Sequence, residues 1–162
     1  MKIAVYPGSF DPVTKGHLNI IQRAAAIFDK VYVCVMVNST KKPLFTRDER
    51  VELIRKSCHD IDNVVVDTYG GLLVEYAESV GACAIVKGLR AVSDFDWEFQ
   101  MALANKKIKP EIETLFLASS EKHTYLSSTV VKELGKYGSD LSDFVPEVII
   151  EDVKKKFESG GM

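Results

Sequence analysis

The sequence predicts a single α/β domain with a Rossmann-like, doubly wound sheet of five parallel strands and helices on both faces. Strand-like and helix-like segments alternate from end to end, which favours a parallel sheet. The run "VYVCVMV" is apolar without a break, as expected of a strand buried on both faces. Polar and glycine-containing segments follow the predicted strands, whereas the opposite joints are short. Because ligands bind beyond the carboxyl ends of parallel strands, this asymmetry predicts a site at one edge of the sheet.

The first half of the chain contains three predicted strands, Lys2–Tyr6, Lys30–Asn38 and Asn63–Tyr69. Between the second and third strands, Thr46 and Glu49 have the spacing of a capping box and predict the start of a helix. The helix after the first strand has one apolar face at helical spacing, formed by Leu18, Ile21, Ala24, Ala25 and Phe28.

The second half continues the alternation with "GLLVEYAESVG" as a helix, "CAIVKG" as the fourth strand and "SDFDWEFQMALANKK" as a long helix. Gly81 is a predicted helix C-cap. The fifth strand is Ile112–Ser119, and "SSTVVKELGKYG" and "PEVIIEDVKKKF" are predicted to be two closing helices, the last with Pro146 in its first turn.

Composition narrows the class of protein. The 162 residues carry a formal net charge of −2, which argues against a nucleic-acid coat and against a basic membrane anchor. No apolar run is long enough to span a bilayer, and the amino terminus does not resemble a secretory signal, so we expect a cytoplasmic protein. Cys34, Cys58 and Cys83 are too dispersed to predict a disulfide framework or a zinc site. Cys34 and Cys83 lie in apolar stretches and are predicted to be core residues.

Common phosphate-binding and hydrolase motifs are absent from the sequence: it contains neither G-x-G-x-x-G after the first strand, nor a P-loop, nor G-x-S-x-G. Instead, "YPGSFDPVTKGH" joins the first strand to the first helix. Thr14 and His17 are three residues apart and share one helix face. A helix N-terminus favours phosphate, and an imidazole there can donate to a phosphoryl oxygen. The alternative is a turn with a Thr cap and an exposed histidine.

Two other post-strand segments carry cations or hydroxyl groups. "KGLRAVSDFDWEFQ" places Lys87 and Arg90 around a glycine, where they suit phosphates, although a solvated basic turn remains the alternative. Phe95, Trp97 and Phe99 are predicted to be core or subunit-contact residues. The run Ser127, Ser128 and Thr129 exceeds what one helix cap requires and fits a triphosphate at a second helix N-terminus. Lys41 and Lys42 follow the second strand.

The stretches "YPGSFDPVTKGH", "VKGLRAVSDFDWEFQMA" and "YLSSTVVKEL" closely resemble those of the bacterial phosphopantetheine adenylyltransferases, nucleotidyltransferases with a [TH]-x-G-H signature. The resemblance covers nearly the whole chain and implies a nucleotidyltransferase domain over residues 1–157 with a flexible tail at 158–162. It implies transfer of the adenylyl group of ATP to 4′-phosphopantetheine, giving dephospho-coenzyme A and pyrophosphate. It also implies Mg²⁺ held mainly by ATP phosphates, feedback by coenzyme A, and a homohexamer built as a dimer of trimers.

The resemblance also assigns site residues. It implies His17, Lys41 and Arg90 as catalytic residues, with His17 stabilising charge on the α-phosphate. It places Ser9, Lys41, Leu73 and Lys87 on the side of the phosphopantetheine substrate. The implied ATP-binding residues are Ser9, Phe10, His17, Gly88, Leu89, Arg90, Glu98, His123, Thr124, Tyr125, Leu126, Ser127, Ser128 and Thr129.

Three positions depart from the usual family pattern: Ser9 stands where Thr is common, Lys87 where Arg is common, and His123 where another aromatic residue is frequent. Two alternative functions are weighed. One is a sister transferase with nicotinate mononucleotide or glycerol phosphate as acceptor, whose versions often show H-x-G-H where this chain has "TKGH". The other is a nucleotide-binding regulatory module without catalysis, against which the intact His17, Lys41 and Arg90 argue.

Overall fold

Strands and helices alternate along the computed structural model, which describes residues 1–160. The strands are β1 (Ile3–Gly8), β2 (Lys30–Met36), β3 (Val64–Tyr69), β4 (Ala84–Leu89) and β5 (Glu113–Ala118). The helices are α1 (Lys15–Ile27), α2 (Arg47–Ser57), α3 (Leu73–Ser79), α4 (Val92–Ile108), α5 (Ser128–Lys136) and α6 (Ile150–Ser159). Short 3-10 turns at Glu121–His123 and Glu147–Ile149 precede α5 and α6.

The five strands form one parallel sheet in the order β3-β2-β1-β4-β5. This order confirms the predicted doubly wound fold, with the change of direction between β1 and β4. The pairing of β1 with β2 extends to Gly8 opposite Val35, whereas its pairing with β4 ends at Val5 opposite Ile85. The carboxyl halves of β1 and β4 therefore separate, and a crevice opens between them.

The sheet is covered by apolar side chains on both faces, as the sequence predicted for β2. Val31 and Val33 belong to one core cluster, whereas Cys34 belongs to a second cluster. The burial of Cys34 confirms its prediction. The prediction for Cys83 is wrong: its side chain is exposed because the residue lies in the turn before β4, where its amide donates to the carbonyl of Ile3.

Helix ends follow the local sequence signals. Thr46 accepts from the amide of Glu49 at 3.2 Å and Glu49 accepts from the amide of Thr46 at 2.7 Å, which confirms the predicted capping box. Gly81 follows the end of α3 with φ of +70°, a conformation that favours glycine. The residues beyond β5 fold less simply than predicted, because Pro146 caps a 3-10 turn and α6 begins only at Ile150.

Helix α4 differs most from a core helix. It has no buried residue, and Phe95, Trp97, Phe99 and Leu103 are all exposed. The core alternative for the aromatic residues is therefore wrong: even Phe95, which packs edge-on against Phe116 of β5, remains 39% exposed. At the other end of the chain, α6 continues to Ser159, and residues 161–162 of the predicted tail lie outside the described residues.

Among the described residues, none of the helices is long and apolar enough to cross a membrane.

Two glycines provide a matched test of packing. A Cβ at Gly135 of α5 would overlap the ring of Phe157 on α6, whereas a Cβ at Gly70 would meet nothing closer than 3.9 Å. We expect Gly135→Ala to lower the free energy of unfolding by about 1–3 kcal/mol, because the ring must leave its place. Gly70→Ala should change it by no more than about 0.5 kcal/mol. Urea unfolding of both variants measures the difference; equal stabilities would contradict the packing described.

Candidate active site

A cavity of about 730 Å³ opens where β1 and β4 separate. Residues from the carboxyl ends of both strands line it, together with the loops that follow β1, β2, β4 and β5. Most of the predicted site residues line this cleft: Ser9, Phe10, His17, Lys41, Lys87, Gly88, Arg90, Glu98, His123, Leu126, Ser127, Ser128 and Thr129. The structure therefore brings together residues that are more than 100 positions apart in the sequence.

Four predicted residues do not line the cleft. Leu89 lies between two lining residues, and its carbonyl accepts from the amide of Ser119 at 2.8 Å. Thr124 donates to the carbonyl of Ser120, and Tyr125 packs edge-on against Phe144. Leu73 begins α3 and packs against the second core cluster. Their implied binding roles remain predictions.

The loop after β1 is held by one buried aromatic ring. Phe10 is 2% exposed and has φ of +47°, a left-handed conformation that costs free energy in a residue other than glycine. Its ring packs against Gly8, where a Cβ would lie 3.0 Å from the ring carbons. It also contacts the rings of Tyr6 and His17 edge-on, at centroid distances of 5.4 and 4.9 Å. Packing of this ring positions the imidazole.

The orientation of His17 follows from a capping box at the start of α1. The Thr14 hydroxyl accepts from the His17 amide at 3.2 Å, and His17 Nδ1 accepts from the Thr14 amide at 3.0 Å. An acceptor nitrogen carries no proton, so the neutral ring has its hydrogen on Nε2. Burial and, to a smaller extent, the positive charge of Arg90 lower the pKa of His17 to about 4. At neutral pH this histidine is an uncharged hydrogen-bond donor.

The two predicted cations at the carboxyl end of β4, Lys87 within the strand and Arg90 directly after it, are both paired. Lys87 lies 3.2 Å from a Glu98 carboxylate oxygen, and Arg90 Nε lies 3.4 Å from Asp94. Arg90 also donates to the carbonyl of Leu126 at 2.9 Å, which ties the loop after β4 to the loop after β5. Acidic side chains of α4 therefore orient both cations.

The three consecutive hydroxyl groups at the start of α5 have different tasks. Ser127 is the N-cap and accepts from the amide of Val130 at 3.1 Å, which confirms that one of them caps the helix. Ser128 donates to the carbonyl of Pro12 at 2.8 Å and joins α5 to the loop after β1. Thr129 is exposed at the cleft. The other amides at the start of the helix have no acceptor further back in the helix, and a helix N-terminus of this kind favours an anion.

Sequence reasoning did not single out three further charged residues of the cleft: Asp11, Arg50 and Lys132. Arg50 is 5% exposed and donates to the carbonyls of Ser9 and Thr46. One signal could have identified it, since Arg50 lies three and four residues before Leu53 and Ile54 and therefore shares the buried face of α2. Lys132 lies one helical turn after Ser128, which places it on the same face of α5.

The cleft carries a positive excess although the chain is acidic overall. Its lining contains six basic side chains and three carboxylates, a net charge of +3 with the histidines neutral. Each carboxylate pairs with one cation, namely Asp11 with Lys132, Asp94 with Arg90 and Glu98 with Lys87. Within residues 1–160, the three remaining cations, Lys41, Lys42 and Arg50, have no carboxylate partner. A concave site of this charge favours phosphorylated ligands.

Comparison with known proteins places the chain in a family. The model of the cytidylyltransferase-like family matches residues 5–134. The phosphopantetheine adenylyltransferase of Caldanaerobacter subterraneus subsp. tengcongensis is 56% identical over 98% of this chain and 99% of its own length. The enzyme of the same name from Heliobacterium modesticaldum is 54% identical over 97% of this chain and 94% of its own length.

Solved structures agree on the fold. A crystal structure described as a putative nicotinate-nucleotide adenylyltransferase from Vibrio parahaemolyticus superposes with a TM-score of 0.71 over 94% of this chain and 99% of its own. At 21% identity, that likeness shows the fold alone. The assignment to one kind of nucleotidyltransferase comes from the full-length relatives. They bear the name of the family that the three sequence motifs resemble. The chain belongs to the cytidylyltransferase-like family and, within it, to the phosphopantetheine adenylyltransferases.

Proposed function

We propose that this cleft transfers the adenylyl group of ATP to 4′-phosphopantetheine through direct attack of one phosphate on another. The observation that carries the proposal is the net charge of +3 at the crevice between β1 and β4. Both reactants are anions, so they can approach each other only beside cations that neighbouring carboxylates of the protein do not neutralise. The full-length relatives that bear the enzyme's name supply the acceptor.

The reaction forms one P–O bond and breaks another. An oxygen of the 4′-phosphate attacks the α-phosphorus of ATP, and the bond to the β-phosphate oxygen breaks with its electron pair leaving on pyrophosphate. The attacking monoester is already ionised near neutral pH, so the step requires no general base. Catalysis then depends on alignment of the two anions and on stabilisation of charge in the transition state.

His17 is proposed to donate from Nε2 to an oxygen of the α-phosphate. Its fixed Nδ1 acceptor role holds the hydrogen on the opposite nitrogen in the ground state, so no reorganisation is needed during the reaction. Lys41, which has no carboxylate partner within residues 1–160, is proposed to add positive charge, and the Arg90 guanidinium is proposed to add hydrogen-bond donors in the same cleft. Ser9 contributes a hydroxyl group within the same loop.

The predicted residues divide between the two substrates in this proposal, and the Lys87–Glu98 ion pair lies where the two groups meet. The first turn of α5 and the stretch His123–Thr129 hold the ATP phosphates and nucleoside, together with Gly88, Leu89 and Glu98. Lys87 and Leu73 belong to the phosphopantetheine side. Lys87 keeps the charge of the more common arginine but not its two-pronged geometry, and its pairing with Glu98 compensates by fixing the ammonium group.

Mg²⁺ is proposed to be held mainly by the ATP phosphates. Over the range 1–160, no cluster of three or more His, Cys, Asp or Glu side chains is arranged to hold a metal ion. Phosphate oxygens and water are ligands that Mg²⁺ readily accepts, and its chemical contribution is to neutralise phosphate charge.

A homohexamer is proposed on the basis of α4. The apolar side chains exposed on this helix include Phe95, Phe99, Met101 and Leu103, and a subunit contact would remove them from water. Coenzyme A combines the pantetheine and adenosine parts of the two substrates, and feedback by competition at the same cleft is part of the proposal.

The activity is tested by pyrophosphate release with ATP and 4′-phosphopantetheine, with nicotinate mononucleotide and glycerol phosphate as alternative acceptors. We expect release with 4′-phosphopantetheine only.

His17→Ala should lower kcat by about 10²–10³-fold or more, comparable to the loss of an oxyanion donor. His59→Ala is the control, since His59 is exposed and outside this cleft. Release with another acceptor, or none at all, would overturn the proposal, and normal turnover of His17→Ala would overturn the role of His17.

The protonation state of His17 is tested by NMR. The pKa is about 4 in the folded chain and 6.5 in the reference state, so the unfolded chain binds the extra proton between these values. The stability contributed by neutral His17 is therefore complete above about pH 6.5 and declines as the pH falls towards 4. We expect ¹⁵N shifts of an Nε2–H tautomer that persist to about pH 4. His17→Gln preserves the capping box but removes the titrating ring, so the free energy of unfolding of this variant should depend less on pH between about 4 and 6.5. A titration of the His17 ring near pH 6.5 in the unaltered protein would refute the assignment.

The oligomer is tested by light scattering. We expect Leu103→Glu to reduce the molar mass below that of a hexamer, because a charge would be buried at the contact. Val148→Glu is the control, since Val148 is similarly exposed but lies outside α4. A hexamer that survives Leu103→Glu unchanged, or an unaltered chain that is not a hexamer, would count against the proposal.

A further inference from the structure

We propose that Asp11 is a positioning residue that fixes the segment bearing Lys41 against the loop bearing His17. This inference rests on the proposed function, because it concerns the alignment of two groups for the same reaction. Asp11 is 4% exposed although it lies beside a cleft that favours anions. A buried carboxylate requires partners, and the identity of those partners defines its role.

The partners of Asp11 come from the loop after β2. Oδ1 accepts from the amide of Phe45 at 2.8 Å, and Oδ2 accepts from the amide of Leu44 at 2.9 Å. These amides follow Lys41 by three and four residues. Phe45 is 3% exposed and is part of the core. Two charge-assisted hydrogen bonds thus attach the end of the Lys41 segment to the loop after β1.

Helix α5 reaches the same carboxylate. Lys132 of α5 lies 3.2 Å from Asp11 Oδ2, and its helix begins with the Ser127–Thr129 hydroxyl groups. The ammonium group balances the negative charge of Asp11, which would otherwise repel a phosphorylated ligand in the cleft. The loop after β1, the loop after β2 and helix α5 therefore converge on a single buried carboxylate.

The remaining part of the Lys41 segment is held by a local turn at Asn38, whose side chain accepts from the amide and the hydroxyl group of Thr40. Lys41 itself is exposed, and its amide lies 3.4 Å from the carbonyl of Asn38. Within the part of the chain that the structure describes, residues 37–46 contain neither helix nor strand. The attachment of Leu44 and Phe45 consequently limits where the Lys41 ammonium group can go. Misplacement of a catalytic group by about 1 Å can cost about 10²-fold in rate.

A double-mutant cycle tests this role. We expect Asp11→Asn to lower kcat about 10- to 100-fold with a smaller change in the KM for ATP, because an amide cannot accept both hydrogen bonds and pair with Lys132. In a Lys41→Ala background, Asp11→Asn should lower kcat less than about threefold, since the ammonium group that Asp11 positions is absent. Asp67→Asn is the control: Asp67 also accepts two hydrogen bonds, from Thr68 and Tyr76, but lies outside the cleft lining.

The outcomes of the cycle are distinct. An equal loss of kcat in both backgrounds, an equal loss in Asp67→Asn, or no loss at all would overturn the positioning role. Amide exchange of the unaltered protein gives a second measurement that does not depend on folding of the variant. The amides of Leu44 and Phe45 should exchange more slowly than that of Lys42, and equal rates would also overturn the proposal. Lack of pyrophosphate release by the unaltered chain would instead overturn the proposed function, while exchange still reports on the attachment.

Discussion

The separation of β1 from β4 is the constraint on which the site depends. Hydrogen bonds between these strands end at Val5 and Ile85, while β1 remains paired with β2 to Gly8. The crevice that results is bounded by the ends of the strands and by the loops that follow them, so side-chain contacts must hold those loops in place. Phe10, Arg50 and Asp11 provide such contacts, and each of them is buried. Where strand pairing is absent, these buried polar and aromatic side chains therefore keep the site rigid.

Control of charge is the second feature of the cleft. The carboxylates are each paired with a cation, so none is left to repel a phosphate, and the unpaired cations provide the positive excess. His17 remains neutral because burial and Arg90 both disfavour its charged form. A neutral donor contributes a directed hydrogen bond, whereas the surrounding lysines and arginines contribute field strength. The two roles are thus divided among different side chains.

The sequence predicted the sheet, the edge that holds the site and most of the lining, because periodicity and post-strand loops depend on local composition. It did not predict the roles of Asp11, Arg50 and Lys132. Their partners are backbone groups or side chains from distant segments, as in the hydrogen bond of Arg50 to the carbonyl of Ser9. The sequence also could not predict that apolar side chains of α4 are exposed. An apolar helix is expected to be buried, but its sequence does not specify whether its own domain or another subunit covers it.

The most direct test of the central claim is a crystal structure with 4′-phosphopantetheine and an ATP analogue whose α,β-bridging oxygen is replaced by methylene. We predict an α-phosphate oxygen at about 2.7–3.2 Å from His17 Nε2, with the acceptor phosphate opposite the bridging group and beside Lys41. A triphosphate bound away from His17 and the first turn of α5, or an acceptor phosphate on the same side as the leaving group, would contradict the account.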